Sequence, residues 1–180
     1  LEIRPQASAH LEHLIIEGTR PNADAITTTS ATLHISQSIW REVAGSALFA
    51  RDSAITLEGC QFFEAGVRLE NPPAGEPTTI QDCRFTGTLS LHPAIQCRSH
   101  PDQESSLVLH SNHFVWAHHD AIQLIDQPAS LMANQLIGAL APEAHSLLSV
   151  IHENRPEPLM ITLARNIFSQ SARAIEARGR

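Results

Sequence analysis

The chain contains no lysine and no tyrosine, so all twelve of its basic side chains are arginine. Schiff-base chemistry, a lysine general base and a tyrosine acid or nucleophile are thereby excluded on these residues. Aromatic residues make up only 4% of the 180 positions. The three cysteines, Cys60, Cys83 and Cys97, have no CxxC spacing, which removes the zinc-knuckle and dithiol redox motifs. An odd count also argues against a complete disulfide framework. No apolar run is long enough to span a bilayer as a helix, and no signal peptide is recognisable. Twelve basic residues against 19 acidic ones leave a net charge of −7, the wrong sign for a phosphate backbone or an anionic membrane surface. Neither nucleic acid nor membrane is therefore expected as a partner, and nothing calls for a cofactor.

What the chain does have is a repeat. Leu107-Val108-Leu109-His110-Ser111-Asn112-His113-Phe114 follows the pattern apolar-x-apolar-x-x-small polar-x-large apolar. The pattern recurs at Leu33–Trp40, Ile55–Phe62, Thr78–Phe85, Ala129–Leu136 and Ile161–Phe168, with a degenerate first copy at Leu14–Pro21. Each copy is followed by a second short strand pattern: Ala25–Thr28, Ala47–Ala50, Gly66–Leu69, Ala94–Cys97, Ala121–Leu124, Leu147–Val150 and Ala174–Ala177. Twelve residues separate Ile26 from Ser38, Leu48 from Cys60 and Ile122 from Asn134. The alternation has period two, which places these segments on strands with one buried face, and helices should be few. The length suits one domain spanning 1–180, and a chain that starts without Met and stops at Arg180 straight after a strand pattern is expected to be a fragment of something longer.

Seven such units predict an all-β parallel solenoid of about seven rungs, stacked at the usual strand spacing of about 4.8 Å. Equivalent residues should then form ladders. One is apolar and inward: Trp40, Phe62, Phe85, Phe114, Leu136 and Phe168. Another is a turn anchor of short side chains: Thr19, Ser38, Cys60, Cys83, Asn112, Asn134 and Asn166. Asn tolerates left-handed backbone, and its amides can bond one another along a stack. Cys60 and Cys83 read as small buried fillers rather than a disulfide. Leu1–His13 is expected to cap one end, while nothing after Ala177 caps the other, which predicts end-to-end self-association.

The recurring x-I-x-x-[NCS]-x-F unit with its A-I-x-L strand resembles the right-handed parallel β-helix, pectate-lyase-like superfamily. The resemblance runs from about Leu14 to Ala177. It is also similar to β-helix segments appended to some bacterial serine/threonine kinase chains, although no glycine-rich loop, catalytic lysine, HRD or DFG pattern is present here. The resemblance implies the fold; the superfamily includes polysaccharide lyases, glycoside hydrolases, epimerases, phage adhesins and non-catalytic repeats.

Two features remain for function. Polar, Pro-rich insertions at Asn71–Pro77, Arg98–Ser105 and His152–Pro158 all follow the second strand, so they should lie on one side of the solenoid. His92, His119 and His145 each stand three residues before a second-strand anchor, in one register, with His118 and Asp120 beside the middle one. Imidazoles next to a carboxylate can coordinate a transition metal or move protons. The alternative is a stack of structural or surface imidazoles, and no metal is assigned. His92, His119, Asp120 and His145 are the candidate binding residues. The outward ladder Glu17, Ser36, Glu58, Gln81, His110, Met132 and Ala164 puts no two acids on neighbouring rungs, as a paired-carboxylate glycosidase would require. Glu70 with Arg68, and Asp102 with Glu104 and Arg98, read as solvated surface charge, and Phe49, Phe63 and Trp116 are left outside the inward ladder. The expectation is a non-catalytic scaffold or binding segment for a protein or polysaccharide partner. The alternative is a polysaccharide lyase or glycoside hydrolase working from the histidine side.

Overall fold

The computed structural model describes residues 1–19, 23–87, 92–138, 146–171 and 173–179. Among them there is no helix. Twenty-two strands form three parallel sheets. Sheet A has eight strands, from Glu2–Ile3 to Arg173–Gly179. Sheet B has seven, from Ser8–Glu12 to Ile161–Ala164, and sheet C has seven, from Ile15–Glu17 to Ile167–Ser169. The chain visits A, B and C in turn, so the solenoid makes about seven coils.

Each coil thus has three strands rather than the two read from the sequence. The repeating template is itself cut in two, as in Leu107–His110 on sheet B and His113–Trp116 on sheet C. The cut falls at the two consecutive x positions, where the inward alternation changes phase. The residue just before the anchor is left-handed on every coil: His13, Gln37, Gly59, Asp82, Ser111, Ala133 and Arg165 have φ between 48° and 61°. The left-handed position is therefore this residue and not the anchor Asn.

The inward aromatic ladder is as expected, with Trp40, Phe62, Phe85, Phe114, Leu136 and Phe168 in direct register on sheet C. The four aromatic rings stack at 4.6, 4.5 and 4.9 Å between centroids and are fully buried. This ladder extends upstream to Ile16, which pairs with Trp40. The first coil therefore corrects the sequence alignment. Leu14, not Thr19, holds the anchor position there, while the Thr19 hydroxyl accepts a hydrogen bond from the Ala44 N–H at 2.8 Å. Pro21 lies outside the described residues. Leu1–His13 is not a separate cap; Glu2–Ile3 and Ser8–Glu12 are strands of the first coil. The outward sheet B ladder accordingly begins at Glu12 and not Glu17. Sheet A keeps the predicted register Ile26, Leu48, Val67, Ile95, Ile122, Leu148 and Ile175.

The anchor side chains bind successive coils at the B-to-C corner. The Asn112 and Asn134 N–H groups donate at 2.9 Å to the Oδ1 atoms of Asn134 and Asn166, and Cys83 N–H donates to Asn112 Oδ1 at 2.9 Å. Each Asn Nδ2 donates back to a carbonyl: Asn112 to Ile80, Asn134 to Leu109 and Asn166 to Leu131. Sulfur takes the same place less well, with Cys60 N–H to Cys83 Sγ at 3.4 Å. All three cysteines are free and buried. Hydrogen bonding to Cys60, and then burial, push the Cys83 thiol far up; burial alone does so for Cys97.

Trp116 is core, only 1% exposed. It stands in register between Gly87 and Gly138, and a Cβ on Gly87 would meet its ring at 2.4 Å. Its indole N–H donates to the His92 carbonyl at 3.0 Å, tying the C-to-A corner to the core.

Candidate functional site

The C-to-A corner carries the histidine register. His92 is exposed and His119 is half-buried, in equivalent places ahead of the paired residues Ile95 and Ile122. His145 lies outside the described residues. Asp120 turns out to have a structural partner: its Oδ1 accepts the Ser146 N–H at 2.8 Å. Asp24, four coils earlier, does the same for the Ser46 N–H at 2.8 Å. Both carboxylates clamp a corner to the next coil. Among the described residues, no group of three or more His, Cys, Asp or Glu side chains is arranged to hold a metal ion.

Around Asp120 the structure adds groups that the sequence reading did not connect. Ser146 Oγ donates to Glu176 Oε2 at 3.1 Å, and Arg173 and Arg178 each reach Glu176 at 2.7 Å. Hydrogen bonds from Arg178, opposed by desolvation, and then from Arg173 and Ser146, hold Glu176 at a pKa of about 2. The Arg178 guanidinium is raised by Glu176 first and also feels Asp120. The corner therefore offers an ionised carboxylate inside an arginine clamp, a charge suited to holding something rather than donating a proton.

A second cluster occupies the outer face of sheet A. Phe49 lies under two guanidinium groups, Arg51 at 5.5 Å and Arg68 at 5.1 Å from its centroid. Both arginines also grip Glu70, Arg51 at 2.7 Å. Burial opposes ionisation of Glu70, but the two arginine hydrogen bonds outweigh it and hold the carboxyl below the usual range. On the next strands Gln96 donates to Gln123 at 2.6 Å. Between them lies a depression of about 120 Å³ lined by Arg68, Leu69, Glu70, Gln96 and Arg98. Arg98 pairs at 3.7 Å with Glu153 and not with Asp102, whose partner is His100. Of this cluster the sequence pairs only Glu70 with Arg68, as surface charge; the other members meet through sheet register, with Arg51, Glu70 and Arg98 on one ladder and Phe49, Arg68 and Gln96 on the adjacent outward one.

The three insertions all connect a sheet A strand to a sheet B strand, as the repeat predicts. Pro73, Ala74 and Glu76 of the first wall an open groove of about 410 Å³ over the tight corners at Ser30 and Asp52. The other two are tied together by Arg155 Nη1 donating to the Gln103 carbonyl at 3.4 Å, and the third is held from the intervening coil by Asp126, whose Oδ1 accepts the Glu153 N–H at 2.8 Å. On sheet C, His113 stands beside Arg84; burial and then that positive charge push its pKa down. No family model matches the chain, and no curated protein or solved structure matches it.

Proposed function

We propose that this chain is a non-catalytic β-helix segment of the pectate-lyase-like kind, an accessory region of a larger kinase-like or secreted protein, and that it presents the outer face of sheet A to a polysaccharide or protein partner. The observation that carries this reading is the Phe49–Arg51–Arg68–Glu70 cluster beside the depression edged by Gln96 and Arg98. An aromatic ring, planar guanidinium groups and paired amides are the groups that stack on and hydrogen-bond sugar rings. The acid at this cluster favours holding over chemistry, because its two arginines keep Glu70 ionised.

A polysaccharide is the partner to test first. Titration calorimetry of the chain against neutral and acidic oligosaccharides should give saturable binding to at least one, weakened tenfold or more by Phe49→Ala and by Arg68→Ala. Failure to bind any glycan while retaining a protein partner would move the reading to a protein ligand. The competing reading is a carbohydrate-active enzyme, favoured by the meeting of Asp120, Ser146, Glu176 and Arg178 at one corner, with His119 preceding Asp120 in the chain. It requires release of new reducing ends or unsaturated sugars from a polymer by the isolated chain, abolished by Asp120→Asn or Glu176→Gln.

A further inference from the structure

The first two coils carry a stacked histidine pair on the outer face of sheet B, remote from the site described above. His10 on strand Ser8–Glu12 and His34 on strand Thr32–Ser36 are in direct register. Their rings lie 4.5 Å apart and within 10° of parallel. The outward positions of the three strands at this end are Ser8, His10 and Glu12, then Thr32, His34 and Ser36, then Ala54, Thr56 and Glu58. The titratable groups facing the stack are therefore Glu12 and Glu58, with His13 at the turn beside Glu12 at 3.7 Å. His34 Nε2 stands 3.9 Å from Glu58 Oε2, whereas Glu12 is engaged with His13 rather than with His10. No lysine or arginine occupies these outward positions.

We propose that this pair makes the first coil an acid-released segment. Neutral imidazoles stack face to face without charge repulsion. With a proton on each, two cations sit 4.5 Å apart, and the one nearby carboxylate not already paired, Glu58, faces only His34. The strand Ser8–Glu12 has a single sheet neighbour, and its inward residues Ala9 and Leu11 are only half-buried, so it has little else to hold it. Protonation of both rings on acidification then loosens the first coil and bares the next sheet edge, the inward Leu33 and Ile35 among it. The sign is fixed by the charge: stability of this coil is present at neutral pH and lost as pH falls.

The test is hydrogen exchange of the full chain at pH 7.5 and pH 5.0, corrected for intrinsic exchange rates. Amides of residues 9–17 should lose protection about fivefold or more at pH 5.0, the effect of a like-charge pair at this distance in a water-like medium. Amides of the central strands between Leu107 and Gly138 should not change. His10→Gln and His34→Gln should each remove the acid effect. An equal change along the whole chain, no change at either end, or an undiminished loss in the Gln variants overturns the proposal. Each variant checks the other should one of them fail to fold.

Discussion

Asn134 shows how much one residue does in this solenoid. Its Oδ1 receives the backbone and side-chain N–H groups of Asn112, and its own Nδ2 satisfies the Leu109 carbonyl. Asn134→Ala strands at least two buried backbone groups, so a loss of about 3 kcal/mol is expected in chemical denaturation. Trp40 is the opposite case. It heads the aromatic stack with an indole N–H that is buried and has no partner. Trp40→Phe would continue the stack and delete that orphan donor while leaving a small gap, so a change within about 1 kcal/mol is expected. Phe62→Ala, which removes a ring stacked on both faces, should cost roughly 3–5 kcal/mol by the same measurement.

At the level of the strand and its corner, the controlling contacts cross from coil to coil. Gly87 makes room for Trp116, which fills the core and reaches the His92 carbonyl. Gly87→Ala should therefore destabilise by about 1–3 kcal/mol and disturb the His92 corner, visible as a shift of the His92 imidazole in NMR spectra. The last strand, Arg173–Gly179, is held partly by Glu176 in its arginine clamp. Because this carboxyl has its pKa depressed to about 2, its contribution is complete above the ordinary glutamate range, near 4.3, and disappears as pH falls through about 2. Glu176→Gln should abolish the extra acid fraying of this strand between pH 4 and pH 2, measured by exchange of its amides.

The described residues stack as a rod in which the terminal strand of each sheet has a neighbour on one side only. At one end Leu163 and Ile175 are 41% and 43% exposed, although their equivalents on the preceding coil, Leu131 and Leu148, are fully buried. Such an edge pairs with other chains unless it is blunted. Self-association through this end is the expected behaviour of the isolated chain. Sedimentation velocity should show concentration-dependent species larger than a monomer. Introducing charge with Leu163→Glu and Ile175→Glu, or removing Arg173–Arg180, should change that distribution; an unchanged distribution would exclude this end as the interface.

The fold was legible in the sequence to the extent that a ladder repeats the same chemistry at the same place. Trp40, Phe62, Phe85 and Phe114, or Asn112, Asn134 and Asn166, announce themselves because stacking rewards like side chains on neighbouring coils. The first coil escapes the alignment because its anchor is Leu14, which lacks the small polar mark that Thr19 carries. The corner inside each template was hidden for a related reason. The left-handed residue there is His, Gln, Gly, Asp, Ser, Ala or Arg, since the backbone conformation is imposed by the coils above and below.

The sequence by itself determined the parallel solenoid, the sheet A and sheet C registers, the asparagine ladder and the side on which the insertions emerge. All of these follow from alternation and repetition, which are one-dimensional properties. Only the tertiary structure decided which charges meet. Phe49 with Arg68, Arg98 with Glu153, Asp120 with Ser146 and Glu176, and His10 with His34 are joined by coil register and corner geometry. Sequence spacing there is set by loop lengths that vary from coil to coil. A surface side chain has no core to constrain its type, so its partner is known only when the coils are stacked.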